Sequence, residues 1–144
     1  MAFREYKTDV AIIGAGAAGI AGGIEALDAG ARCIAFEKRE EAGGAAAISG
    51  GGCCIVGSPV QKAEGIEDTP DLAFADWMAW GGPSVDEVWA RYYLEHTLHD
   101  LYHWAEQYGV KWVDMKPQEG NSVMRWTRAE GNGLGLMRHL IKAY

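Results

Sequence analysis

"DVAIIGAGAAGIAGGIEALDAGARCIAFEK", residues 9–38, decides the fold. Val10 to Ile13 form a short apolar run that stops at Gly14, the pattern of a fully buried parallel strand. Ala17 to Ala29 follow as an alanine-rich helix, with Ile20, Ile24 and Leu27 spaced for one inward face. Gly30 stands where a helix C-cap favours positive φ. Arg32 to Phe36 form a second strand, so strand, helix and strand fit within about thirty residues. Gly14-x-Gly16-x-x-Gly19 lies directly between the first strand and the helix, the context that gives this pattern meaning. Gly14 permits the tight turn, Gly16 lets a pyrophosphate approach the backbone, and Gly19 lets the helix pack close to the strand. The phosphates then face free amides at the positive helix end, around Ala17 and Ala18. Glu37 closes the second strand; its carboxylate suits an adenosine ribose and repels a 2′-phosphate, which argues against NADP.

The totals bound what surrounds this unit. The chain has 144 residues, a length for one domain, and 49% of them are hydrophobic, which excludes disorder. Net charge is −7, from 13 basic and 20 acidic side chains, and no basic cluster invites nucleic acid or an anionic membrane. No apolar run reaches the roughly 18 residues of a membrane helix. "MAFREYKTD" is too polar for a signal-peptide core, so a cytoplasmic location is the default expectation. Three cysteines, Cys33, Cys53 and Cys54, lack C-x-x-C spacing and suggest neither a disulfide scaffold nor a thiol redox pair.

Further along, "GGAAAISGGGCCIVGS" (residues 43–58) reads as a loop that brings backbone close to something, with Ile48, Ile55 and Val56 requiring burial. Asp68 or Thr69 caps a helix from Pro70 to about Trp80, and Gly81-Gly82-Pro83 breaks it. Ser84, with Glu87 three residues on, predicts a capping box for the next helix. That helix runs from Val85 to Tyr108 with a joint near His96, and Gly109 ends it. "VKWVDM" is a short strand, "PQEGNS" a loop, and Gly133 to Ala143 a last helix.

A plain NAD site needs nothing special after the acid. Here Gly43-Gly44 follows six residues past Glu37, and Gly50 to Gly52 form a second glycine run. A second close-approach loop suits a longer cofactor and favours FAD. With "DVAIIGAGAAG…EK…GGAAAISGGG" followed by "GSPVQKAEGIEDTP", the chain resembles the FAD-binding fumarate reductase/succinate dehydrogenase flavoprotein superfamily. It looks most like the branch containing the 3-ketosteroid Δ1-dehydrogenases. "GNSVMRWTRAEGNGLGLMRHL" is similar to that family's segment with a Ser, an Arg and a G-x-x-L helix. The resemblance implies an α/β fold, the N-terminal part of a Rossmann-like FAD-binding domain that is incomplete in this chain. It implies FAD as cofactor, with Gly14, Gly16 and Gly19 at the pyrophosphate and Glu37 at the ribose. Lys38, Gly43, Gly44, Ser49, Gly50 and Gly51 would line the flavin side. Ala45 and Ala46 stand where the family often has Ser or Thr, which removes hydroxyls that could bond the cofactor. Thr127 stands where many relatives have His, which puts a fumarate-type substrate site in doubt.

The resemblance also implies missing parts: a substrate-capping domain and the C-terminal part of the FAD domain. The strands say the same, because two good parallel strands and one short candidate fall short of the five or six that a doubly wound fold wants. Six tryptophans, five of them between Trp77 and Trp112, are a heavy load that points to an interface. Residues 1–144 are therefore expected to be an N-terminal FAD-binding segment, either a fragment or one subunit of a split flavoprotein. Opening on Met1 favours the split subunit, with a complementary polypeptide as partner. The expected reaction is oxidation or reduction of a carbon–carbon bond next to a carbonyl or carboxylate. The alternatives are another FAD- or NAD-linked oxidoreductase, such as an amine oxidase, and a non-catalytic nucleotide-binding subunit. Other candidates carry less. His96, His99 and His103 share a helix face with Glu106, more often a solvated face than a metal site. Cys53-Cys54 reads as small packing residues, and Tyr92, Tyr93, Tyr102 and Tyr108 as core or interface. Arg125 is a catalytic candidate for binding a carboxylate or carbonyl oxygen, set against a structural salt bridge.

Overall fold

The computed structural model describes residues 4–144; Met1–Phe3, at the start of the polar N-terminal stretch, lie outside the described residues. β1 (Val10–Ile13) and β2 (Cys33–Phe36) pair in parallel, with Val10 opposite Cys33 and Ile13 opposite Phe36. The crossover between them is α1 (Ala17–Asp28). Ile20 and Ile24 are buried on its inward face and Leu27 is half-buried. At roughly 1.5–3 kcal/mol for each fully buried aliphatic side chain, the two isoleucines dominate the attachment of α1.

Beyond β2 come α2 (Gly44–Ala47), β3 (Gly52–Cys54), α3 (Pro59–Ala63) and α4 (Pro70–Gly81). A 3₁₀ turn (Gly82–Ser84) leads into α5 (Glu87–His96), a π-helical stretch (Thr97–His103) and α6 (Trp104–Gln107). β4 (Trp112–Lys116), β5 (Trp126–Ala129) and α7 (Asn132–Ala143) complete the chain. The last three strands make an antiparallel sheet in the order β3-β5-β4, with Cys53 and Met115 both opposite Thr127. The main core lies between this sheet, α1, α6 and α7, around Ile55, Tyr102, Trp112 and Met137. A smaller one joins Val56, Ala73 and Leu94 to Trp77 and Tyr93.

Several sequence expectations are corrected. The strand expected to be fully buried is half open: Ile13 is 83% exposed. Among the described residues β2 is its one neighbour, so the other edge lacks a partner. Residues 43–58 are not simply a loop, since they contain α2 and β3, and Ile48, expected to be buried, is 81% exposed. Ser84 does not cap the next helix. Its hydroxyl donates to the Gly81 carbonyl and closes the 3₁₀ turn, and the Asp86 carboxylate accepts from the Trp89 amide instead. The capping box lies elsewhere, at Ser58 and Gln61. The joint expected near His96 is the start of the π-helical stretch. The aromatic load divides: Trp77 stacks on Tyr93 and Trp112 on Tyr102, while Trp80 and Trp89 are exposed.

A buried polar network ties the helices to β5. The Arg125 guanidinium donates twice to Asp68, at 3.0 and 2.9 Å, once to Asp76 and once to Asn121. The side chains of Arg125 and Asp68 are fully enclosed. Gln61 extends the network, donating to Asp68 and to the Met124 carbonyl. Removing the guanidinium would leave two carboxylates without their counter-charge in a desolvated place, which costs about 3–5 kcal/mol. Arg125→Met is therefore expected to lower the urea midpoint of unfolding sharply. Replacing Asp68 and Asp76 by apolar residues in the same variant should recover much of the loss.

Candidate functional site

The first turn of α1 is an open helix end. Gly16 is its N-cap with extended backbone (φ −79°, ψ −174°), and no side chain caps it. The first-turn amides, on Ala17, Ala18 and Gly19, thus lack a side-chain partner at the positive end of the helix dipole. Gly14 holds φ at +96°, a conformation that glycine adopts without strain. A Cβ at Gly19 would overlap the Gly14 carbonyl oxygen and crowd Ile12, so the missing side chain there is a packing requirement of helix on strand. Gly16 differs. A Cβ on it would meet nothing within 4 Å, and its φ suits any residue, so the chain itself gives no reason for a glycine.

A second short element lies alongside. The Gly43 amide donates to the Ala15 carbonyl at 2.7 Å, and Gly16 and Gly43 form a parallel bridge. Gly44, the first residue of α2, approaches so closely that a Cβ on it would lie 3.2 Å from the Gly16 Cα. The N-terminal ends of α1 and α2 therefore lie side by side, and α2 carries Ala45 and Ala46. Glu37 sits just past β2, its Oε2 accepting from the Ala15 amide at 2.9 Å and its Oε1 from the Arg39 amide at 3.0 Å. The Arg39 amide, and after it that of Ala15, hold the Glu37 carboxyl below the usual value.

Beside the first turn of α1 lies an apolar cleft of about 400 Å³, lined by Ala17, Ala18, Ala46, Ser49, Gly51 and Cys53 among others. Leu101 and Trp104 form its far wall and also line a wider hollow of about 560 Å³ against Gly22 and Glu25. Lys38 lies apart from the cleft, in a hollow it shares with Arg39, Glu40 and Ile48. The second glycine run serves the protein as well as the cleft. The Trp126 indole lies against Gly52, where a Cβ would overlap it, and 3.4 Å from a Cβ at Gly50. Gly51 faces the backbone of Asn132 and Gly133 with no room for a side chain. The Ser49 hydroxyl donates to the Ala46 carbonyl and accepts from the Gly51 amide, and the Ser49 carbonyl accepts from Gly133. Ser49 thereby pins the end of α2 to the start of α7.

The remaining candidates fall outside this site. Arg125 is enclosed and ion-paired, with no exposed face to offer a substrate. The Tyr93 hydroxyl donates to the Cys54 carbonyl and that of Tyr108 to Asp28, while Tyr102 is buried against Trp112. Burial pushes the Cys53 and Cys54 thiols up to about 11, so both are protonated packing residues of β3. His99 and His103 pair with Asp100 and Glu106, and His96 with the Tyr92 carbonyl. Among the described residues no three His, Cys, Asp or Glu side chains gather to hold a metal. The Thr127 hydroxyl, on β5 opposite Cys53, is buried and has no hydrogen-bond partner among the described residues. Among the described residues no helix is long and apolar enough to cross a membrane.

Comparison with known proteins gives this geometry its context. Residues 9–139 match the family model described as "FAD binding domain", and the chain belongs to that family. It is 34% identical over 134 residues to a fumarate reductase (cytochrome) of Shewanella frigidimarina, covering 93% of this chain and 23% of that protein. It is 32% identical over 148 residues to a KsdD-like steroid dehydrogenase of Mycobacterium tuberculosis, covering 90% and 26%. The open conformation of a flavocytochrome c3 fumarate reductase superposes with a TM-score of 0.87 at 33% identity, covering 94% of this chain and 24% of that one. The fold is thus the N-terminal part of an FAD-binding domain, within the fumarate reductase and steroid dehydrogenase flavoproteins, and the cofactor is FAD. The chain spans about a quarter of the length of these relatives.

The residues present fit that cofactor. An uncapped helix end, a glycine with open space where a side chain would stand and a carboxylate one strand away suit a pyrophosphate and a ribose. Gly16→Val places a branched side chain where only a ligand can meet it. The variant is expected to keep its far-ultraviolet circular dichroism while losing flavin absorbance. A yellow variant with full occupancy would remove Gly16 from the phosphate loop.

Proposed function

We propose that this chain is the nucleotide-binding part of a flavoprotein that oxidises or reduces a carbon–carbon bond next to a carbonyl or carboxylate. The observation that carries the reading is the open backbone at Gly16, set between the α1 and α2 ends and beside Glu37. Gly14, Gly16 and Gly19, with the amides of Ala17 and Ala18, hold the pyrophosphate. Glu37 holds the ribose, and Gly43, Gly44 and Gly51 bring backbone close to the rest of the cofactor. Bound FAD supplies hydride transfer, and the chain orients it and keeps water away from one side. The apolar walls of the cleft, Leu101 and Trp104 among them, do the latter.

The relatives' names support the choice of bond. Fumarate carries its double bond between two carboxylates, and a steroid dehydrogenase removes hydrogen from a steroid. Groups that bind substrate and move its protons come from a complementary part of the flavoprotein, because the chain's Arg125 and buried tyrosines are occupied internally. The open edge of β1 and the exposed Ile13 are where that part docks. Such a contact is of the obligate kind, above roughly 2,000 Å².

The test uses the flavoprotein isolated from its native source through a tag on this chain. After anaerobic reduction, its flavin should be reoxidised by fumarate or by an α,β-unsaturated ketone. An amine that bleaches the oxidised flavin, with neither unsaturated class active, would replace the reading with amine oxidation. Isolation also identifies any second polypeptide carrying the complementary part.

A further inference from the structure

We propose that Glu37 is a positioning residue for the phosphate loop, holding it in shape before any cofactor arrives. The inference rests on reading Gly14–Gly19 as that loop. A carboxylate whose only task was the ribose would need no bonds to the protein's own backbone. Here each is engaged by backbone: Oε2 by the Ala15 amide at 2.9 Å and Oε1 by the Arg39 amide at 3.0 Å. Ala15 is 4% exposed, so water offers its amide a poor substitute for the carboxylate. Its carbonyl in turn accepts from Gly43, and the preceding amide, of Gly14, donates to the Phe36 carbonyl. One side chain at the end of β2 thus grips the turn leaving β1, and through Ala15 that turn grips the approach to α2.

The lone pairs limit what a ligand can add. An ionised carboxylate has about four acceptor positions, and two are filled by amides, one on each oxygen. At most one per oxygen remains, room for no more than the hydroxyls of a ribose diol. The same amides favour the ionised form, so the grip persists at neutral pH.

Glu37→Ala separates the two tasks when three probes are compared: FAD, ADP and inorganic pyrophosphate, which has no ribose. Amide exchange across residues 14–19 and 43–47 is followed in the cofactor-free flavoprotein. Exchange at Ala15 and Gly43 is expected to speed up roughly tenfold or more, the effect of losing a charge-assisted hydrogen bond. Pyrophosphate affinity should fall by a similar factor and FAD affinity by more. Unchanged exchange with unchanged pyrophosphate binding, alongside weaker FAD and ADP, would overturn the positioning role and leave the ribose role standing. If FAD affinity were also unchanged, Glu37 would have neither role, and the phosphate-loop reading would stand or fall on Gly16→Val alone. Should Glu37→Ala not fold, Glu37→Gln keeps one acceptor oxygen. One of the Ala15 and Arg39 amides should then exchange as in wild type and the other faster, and protection of both would overturn the proposal.

Discussion

Ala15 is the point on which the nucleotide end of the molecule depends. Its amide is held by Glu37 and its carbonyl by Gly43, so two segments that are remote in sequence meet on one residue. Neither bond is strong by itself, since a net contribution of about 1 kcal/mol is typical, with somewhat more where the acceptor is charged. Their importance is geometric. They set the turn out of β1, the direction of α1 and the place of α2 together, so that two helix ends share one opening. Buried backbone groups at such a crossing tolerate little displacement, because any shift leaves a donor or acceptor unsatisfied.

The β1-α1-β2 unit was legible because its signals are local. An apolar run, a glycine turn, Ile20 and Ile24 at helical spacing, and Gly30 as terminator all fall within one short stretch. The antiparallel sheet was not, apart from β4, placed within a residue or two. β3 is three residues long and finds its partner in β5, more than seventy residues on, so nothing nearby announces it. β5 does alternate, with Thr127 and Ala129 inward, but "WTRA" stands among charges that hid the pattern. Ser84 misled for a different reason. The Gly82 backbone (φ +58°) and Pro83 set a turn that uses its hydroxyl, which moves the helix cap on to Asp86.

The phosphate loop was legible down to its roles, the rest of the site less so. The spacing already set Gly19 against the strand and Gly16 toward a ligand, and the structure supplies the physical reason: the Gly14 carbonyl leaves no room for a Cβ at Gly19, while a Cβ at Gly16 would meet nothing. Gly50 to Gly52 read as room for a cofactor, and much of that room is filled by Trp126 and the start of α7. Arg125 had two readings that composition cannot separate. The partners that decide it, Asp68 just before α4 and Asp76 within it, lie about fifty residues earlier and meet it only in the folded chain. Belonging to the flavoprotein family raised the expectation of a ribose acid, but gave no hint that its oxygens were already bonded to backbone.

The half-open β1 also has a kinetic meaning. β1 and β2 pair across about twenty residues of chain, a local closure that a folding polypeptide completes early. If, as proposed, the other edge is completed by the complementary part of the flavoprotein, that pairing is slow, because a long loop or a second molecule must first be brought to it. Until then Ile13 stands beside an unpaired ladder, the combination that recruits foreign strands. The time for which this protein is vulnerable to aggregation is therefore set less by its own helices than by how soon that neighbour arrives. On the proposed reading, conditions that speed that meeting protect β1 more than added stability in α1 or α7.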